Sequence, residues 1–448
     1  MRTCSRRAGN GRRGNPEGSS TREARSVHAR PACAAVRRTS APLALRDALT
    51  VDQRGLGDHG IVYFGNDWFA ENRTSSHHVA RRLAEIAPVL YIDSPGMRAP
   101  SASGRDLKKA IRKLAASLKP PVKVGERFWH ATVPQLPFRR IPGVDAFNRL
   151  FGSWAVRRAM RAIGMKHPIS WFVVPHPGFM AGRLGESLCV YYCIDDYAAH
   201  PGVDADLIGR RDEALARAAD LVFVAPPALV ESKRAQNPAT HFSPHGVDVA
   251  LFSRAADPAT PIADGAQDLK HPVVGYFGSL HDWIDLELIE WLAKSRPEWT
   301  FLLVGHAHAD VSALRALANV KLAGPQPYAS LPEWAKAFDA AIIPYRLNRQ
   351  VANANPLKLR EYLATGKPVV SVRNPEIEKF AEWVRIADGR DAFLAALDDV
   401  LRDDPPGAAA RRIAAVADQT WDARVDAVVA TVSAALARKQ NTFESGHP

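Results

Sequence analysis

Lys358 and Glu361 stand three residues apart within Asn353–Ser371, NANPLKLREYLATGKPVVS, and their types suit the grip of a phosphorylated ligand. Asn355 reads as an N-cap and Pro356 as the first helical residue, where a missing N–H costs nothing. Leu359, Tyr362 and Leu363 fall at i, i+3 and i+4 and make one apolar face, with Gly366 as the stop and Val369–Val370 in a following strand. The free N–H groups and positive dipole of such a helix start attract an anion, so Lys358 in its first turn is placed to hold phosphate. Glu361, one turn on, can accept hydrogen bonds from sugar hydroxyls. The same two residues also read as an ordinary solvated ion pair.

Composition bounds what such a site could serve. At 448 residues, with 46% hydrophobic and 24% charged content, the chain has room for two or three globular domains. No apolar run is long enough to span a membrane, and no apolar stretch follows the basic MRTCSRRAGNGRRGN, so neither a transmembrane helix nor a signal peptide is expected. Cys4, Cys33, Cys189 and Cys193 make no metal or disulfide framework. Cys189 and Cys193, in LCVYYC, read as buried thiols, which suits a reducing cytoplasm. The charge of +12 is uneven: residues 97–166 hold sixteen Lys and Arg against three Asp and Glu. Such a basic surface suits nucleic acid, anionic lipid or a phosphorylated substrate, and solvated helix faces account for part of it.

Two arrays of alternating strands and helices position the chemistry. Residues 1–55, rich in Arg, Ser, Gly and Pro, read as a disordered basic tail. From Ile61 the pattern is βαβ: IVYFGND, a helix at His77–Ala87, then VLYID. A basic helix is expected at Leu107–Leu118 and a longer one at Val144–Ile163, before the strands ISWFVV, LCVYYC and DLVFVA. Residues 56–252 form a first domain and 253–271 a linker; the second domain, 272–420, repeats the plan with VVGYFGS, FLLVG and DAAIIPY. A last helix is assigned to 421–438 and a disordered tail to 439–448. The fold class is α/β, two tandem Rossmann-like doubly wound domains facing a cleft, where open α/β sheets bind ligands.

Four segments in order, SPHGVDVALF, VGYFGSL, FDAAIIPY and NPLKLREYLATGKPVVS, resemble the GT-B glycosyltransferases, especially the family-4-like group. The resemblance covers about Ile61 to Arg438. It implies a nucleotide-sugar donor on the second domain, a glycan or lipid-linked acceptor on the first, and a C-terminal helix crossing back to the first. It also implies roles. Lys358 matches the diphosphate-binding base, Glu361 the ribose-binding acid, and Gly278 and Ser279 the turn that approaches the phosphates. Arg346 and Asn348 stand at the donor loop, and Asn353 and Asn355 lie on the donor side. The diphosphate would be neutralised by a helix start and basic side chains, so no metal and no cofactor is expected. At Asn353 retaining members commonly carry a second glutamate, which leaves an inverting route open.

An inverting transfer needs a base for the acceptor hydroxyl. Asp195 and Asp196 directly follow LCVYYC, and N-capping or an Asx-turn suits them equally. His176, in PHPGF after ISWFVV, reads as a base or as a turn histidine. His77 and His78 open the first helix near an acceptor site or cap it. His245, in the junction motif, fixes the linker or touches donor. The tryptophans, Trp283 and Trp334 among them, read as core or surface anchors. The basic 97–166 region suits an anionic membrane surface, with peripheral attachment on the inner face. A nucleotide-sugar 2-epimerase of the same fold and a non-enzymatic basic binding or scaffold protein stay as alternatives. No nucleic-acid partner is expected, because no RNP or helix-turn-helix signature is present.

Overall fold

Apolar runs buried on both faces need no polar alternation, and they build two sheets. The structure, a computed structural model, describes residues 55–70, 73–94, 119–133, 143–200 and 202–445, with side chains as far as Asn441. The first lobe contains β1 (Ile61–Gly65), β2 (Val89–Asp93), β3 (Val122–Gly125), β4 (Phe128–Thr132), β5 (Ile169–Phe172), β6 (Leu188–Cys193), β7 (Leu221–Val224) and β8 (Thr240–Phe242). Their order is β3-β4-β2-β1-β5-β6-β7-β8, and only β3 pairs antiparallel. The second lobe contains β9 (Val273–Phe277), β10 (Thr300–Val304), β11 (Val320–Gly324), β12 (Ala340–Ile343), β13 (Val369–Val372) and β14 (Val384–Ala387). Its order, β11-β10-β9-β12-β13-β14, is parallel throughout. Each order reverses once, between β1 and β5 and between β9 and β12. Beside such a reversal, the carboxyl ends of neighbouring strands leave a crevice.

Strand pleating divides the first lobe's core into two layers. Ile61 and Tyr63 of β1 join the layer of Trp171 and Val190, whereas Val62 and Phe64 join that of Val156, Met160 and Leu215. The first layer is completed by Trp421, Val425, Val428, Val432 and Leu436 of the C-terminal helix. That helix therefore does cross back onto the first lobe. It runs from Trp421 to Ser445, so residues 439–445 are helical and not a loose tail. Lys439 holds that end by reaching Asp220 Oδ1 at 2.6 Å and the Ser187 carbonyl at 3.4 Å.

Other boundaries shift for local reasons. The first helix begins at Ser75, two residues early, because His77 Nδ1 accepts the Thr74 backbone N–H at 3.1 Å and closes the N-terminus. The 253–271 stretch is no free linker: its small Ala255, Ala263 and Ala266 are buried in the second lobe's core. Cys189 and Cys193 are buried thiols. The expected basic helix at Leu107–Leu118, the tail before residue 55, Cys4, Cys33 and residues 446–448 lie outside the described residues. No helix among the described residues is long and apolar enough to cross a membrane.

Candidate active site

A cleft of about 440 Å³ lies where the carboxyl ends of the two sheets meet. From the first lobe it is lined by Asn66 and Arg73–Ser75 after β1 and by Ile194, Asp195, Tyr197 and His200 after β6. From the second come Gly278 and Ser279 after β9, Gly305 after β10, Tyr328 beyond β11, Tyr345 after β12, and Asn355, Lys358 and Glu361.

The helix expected from the sequence spans Leu357–Thr365 and stops at Gly366, whose φ of 76° is left-handed. Its N-cap is Pro356, not Asn355, and no side chain caps it. Its first N–H groups are therefore left for an anion from the cleft. Lys358 rises from this turn and makes no ion pair or hydrogen bond among the described residues; its Nζ lies 5.6 Å from the Tyr276 ring centre. Burial lowers its pKa, and Glu361 opposes that. The Lys358 side chain runs over Gly278, where a Cβ would stand 2.1 Å from Lys358 Cε and where φ is 134°. A Cβ on Gly305, at φ 151°, would meet the Gly278 carbonyl oxygen at 2.0 Å. Two glycine turns thus pack back to back and open the backbone to a ligand.

Glu361 is buried among Tyr276, Tyr328 and Tyr345, and desolvation pushes its carboxyl up to about 7, against the lowering influence of Lys358 and the Tyr328 hydroxyl. The pair is therefore no solvated surface pair. It is a desolvated cation and carboxyl at the cleft wall.

Across the cleft, Asp195 Oδ2 pairs with His200 Nε2 at 2.8 Å, and its other oxygen accepts the Asp196 N–H at 2.9 Å. Asp196 turns away from the cleft. Its Oδ2 accepts the Asn353 side-chain amide at 2.9 Å and lies 3.4 Å from Arg349. Asn353 therefore fastens one lobe to the other and does not line the cleft. Asn355 lines it, but its amide is spent on the Ala225 carbonyl at 3.0 Å and on Arg360 Nη1 at 2.7 Å. Arg360 continues to Glu376 at 2.6 Å and Gln419 at 2.9 Å.

Several expected residues are placed elsewhere. His176 is fully buried and outside the cleft lining, because the loop after β5 packs against the helix that carries Leu215 and Arg211, whose side chain donates to the His176 carbonyl at 3.5 Å. Arg346 points out of the cleft to the Ile284 carbonyl and Glu287. Asn348 caps the short helix Arg349–Ala352. His77 serves as the helix-closing group. His78 stacks on Trp421 with ring centres 4.9 Å apart, and burial drives its pKa down to about 3. His245 does line the cleft; burial, with Arg360 nearby, also takes it down to about 3. Arg73, His200 and Tyr328 were not singled out from the sequence. A histidine five residues after Asp195, in a loop leaving β6, was the available signal for His200. Nothing local marked the other two.

Residues 271–416 match the family described as Glycosyl transferases group 1. TuaH of Bacillus subtilis (strain 168), a glycosyltransferase proposed for teichuronic acid biosynthesis, is 27% identical over 252 residues; the match covers 52% of this chain and 63% of TuaH. Less than two-thirds of that relative's length is thus matched. Sucrose-phosphate synthase of Thermosynechococcus elongatus superposes with a TM-score of 0.60 at 15% identity, covering 83% of this chain and 97% of that one. Anabaena HepE, solved with UDP and glucose, gives 0.52 at 14% identity, covering 87% and 100%. The fold is therefore that of the GT-B glycosyltransferases, and neither the epimerase nor the scaffold alternative is favoured.

Proposed function

We propose that this chain, whose residues 271–416 match the group 1 glycosyl transferases and whose two lobes make a GT-B fold, moves a sugar from a nucleotide-diphosphate donor to an acceptor on the first lobe. The observation that carries it is Lys358, a half-buried cation with no ion pair among the described residues, in the first turn of an uncapped helix over the Gly278 turn. A diphosphate seated there supplies the missing anion, and the leaving group is neutralised by Lys358 and the helix N-terminus instead of a metal. Glu361 accepts from the ribose hydroxyls. The UDP and glucose of HepE support this class of donor. Asp195, oriented by His200, is the group on the acceptor side placed to take the hydroxyl proton. The teichuronic acid biosynthesis named for TuaH supports a glycan acceptor; the same proposal extends to a lipid-linked acceptor of the cell envelope, reached at the inner face of an anionic membrane by a peripherally attached enzyme.

The test is a thermal-shift panel of UDP-, GDP- and ADP-sugars. One nucleotide should raise the melting temperature, Lys358→Ala should abolish that rise, and Asp195→Asn should keep it while transfer falls by about 10²–10⁴. No shift with any donor would overturn the proposal. Full transfer by Asp195→Asn would assign the proton to the departing phosphate and remove the need for a base.

A further inference from the structure

The helix Val144–Ala162 buries one side and leaves a mixed apolar and basic side uncovered. Asn148, Gly152, Ala155, Val156 and Ala159 face the core. On the far side Phe147, Leu150 and Trp154 are 41%, 69% and 39% exposed, three of the eight large apolar side chains exposed among the described residues. They recur at i, i+3 and i+7, so they form one stripe along the outer face. Phe151 links the aromatic members, its ring centre 5.3 Å from both Phe147 and Trp154. One turn on, Arg158 and Arg161 continue the same face in the exposed state, with Arg149 and Lys166 exposed nearby and Asp145 the helix's single acid.

Place matters as much as composition. β4 and β5 run parallel through β2 and β1, so the connecting helix starts at the carboxyl edge of the sheet. Its aromatic first half therefore lies along the edge that bears Asp195. Arg211 ties that half to the loop after β5, meeting Asp145 at 2.7 Å and the His176 carbonyl at 3.5 Å.

We infer that this face docks the first lobe on an anionic lipid bilayer, Phe147, Leu150 and Trp154 entering the headgroup boundary while the arginines meet lipid phosphates. Aromatic rings beside arginines match the two zones of that interface, apolar below and anionic above. The inference deepens the acceptor assignment and rests on it for its purpose, but membrane binding is measured without any sugar, so each fails separately.

The full chain is sedimented with vesicles of phosphatidylglycerol and phosphatidylcholine at roughly 3:7, and with phosphatidylcholine alone. Binding should need the anionic lipid, and part should survive about 0.5 M NaCl, where purely ionic contacts are screened. Leu150→Ser with Trp154→Ser should lose that salt-resistant part by at least about tenfold while keeping its melting temperature and donor shift. Arg158→Gln with Arg161→Gln should weaken binding at low salt. With brominated acyl chains, quenching of wild-type tryptophan emission should shrink in Trp154→Phe, a readout that does not depend on the serine pair folding. Unchanged sedimentation of the serine pair, or equal quenching in Trp154→Phe, would overturn the inference. So would a wild-type dimer that the serine pair converts to monomer, since a second copy would then own the face.

Discussion

Glu361 carries a carboxyl that burial pushes up to about 7, and its proton has consequences for both stability and binding. Between the ordinary value of 4.5 and about 7 the folded chain holds a proton that the unfolded chain has released. Stability from this group is therefore full below the ordinary value and is lost as pH rises through about 7, by roughly 3 kcal/mol in all. Glu361→Gln should flatten that part of the melting-temperature profile; an unaltered slope would show that another group sets it. Donor binding has the opposite sign. Ribose hydroxyls donate best to the ionised carboxylate, so a bound donor should expel the proton and bind more tightly as pH rises to 7. Calorimetry near neutral pH, in buffers of different ionisation enthalpy, should detect proton release in the wild type and none in Glu361→Gln.

At the scale of the element, the Leu357–Thr365 helix must keep its uncapped start aimed at the cleft. Arg360, 2% exposed, does this from the opposite side of the helix through Glu376, Asn355 and Gln419. Removing one partner of a buried pair leaves an uncompensated charge, so Arg360→Met should cost about 3–5 kcal/mol in urea unfolding, and adding Glu376→Leu should recover much of it. A loss below about 1 kcal/mol would show that the network is redundant. The helix itself was legible in the sequence, because apolar spacing and the Gly366 stop are local facts. The aim of Asn355 was not. Whether an asparagine caps its own helix or reaches Ala225 depends on where the other lobe lies, and no local pattern encodes that. The strands were legible for the reason they are buried: β1, β6 and β10 are apolar on both faces, whereas the loops that line the cleft are polar and read alike whether they touch ligand or solvent.

On the scale of the whole molecule, the lobes meet through polar contacts that sequence reasoning had assigned to chemistry. Asp196 was a candidate base, yet its carboxylate accepts from Asn353 and faces Arg349. His78 joins the same boundary, its ring 5.1 Å from Tyr328 of the second lobe and stacked on Trp421 of the crossing helix. Arg82 and Asp422 pair at 2.5 Å beside them. These contacts set how far apart Asp195 and Lys358 are held, and so whether acceptor and donor meet in reacting geometry. If Asp196 positions the lobes and takes no proton, Asp196→Ala and Asn353→Ala should impair transfer to a similar degree with the donor shift intact, and the double variant should be no worse than either. Their coupling would then nearly equal each single effect, as expected for two ends of one contact. Hydrogen exchange should quicken around residues 195–200 and 349–355 in all three. A loss confined to Asp196→Ala, with Asn353→Ala fully active and exchange unchanged, would return Asp196 to the chemical step.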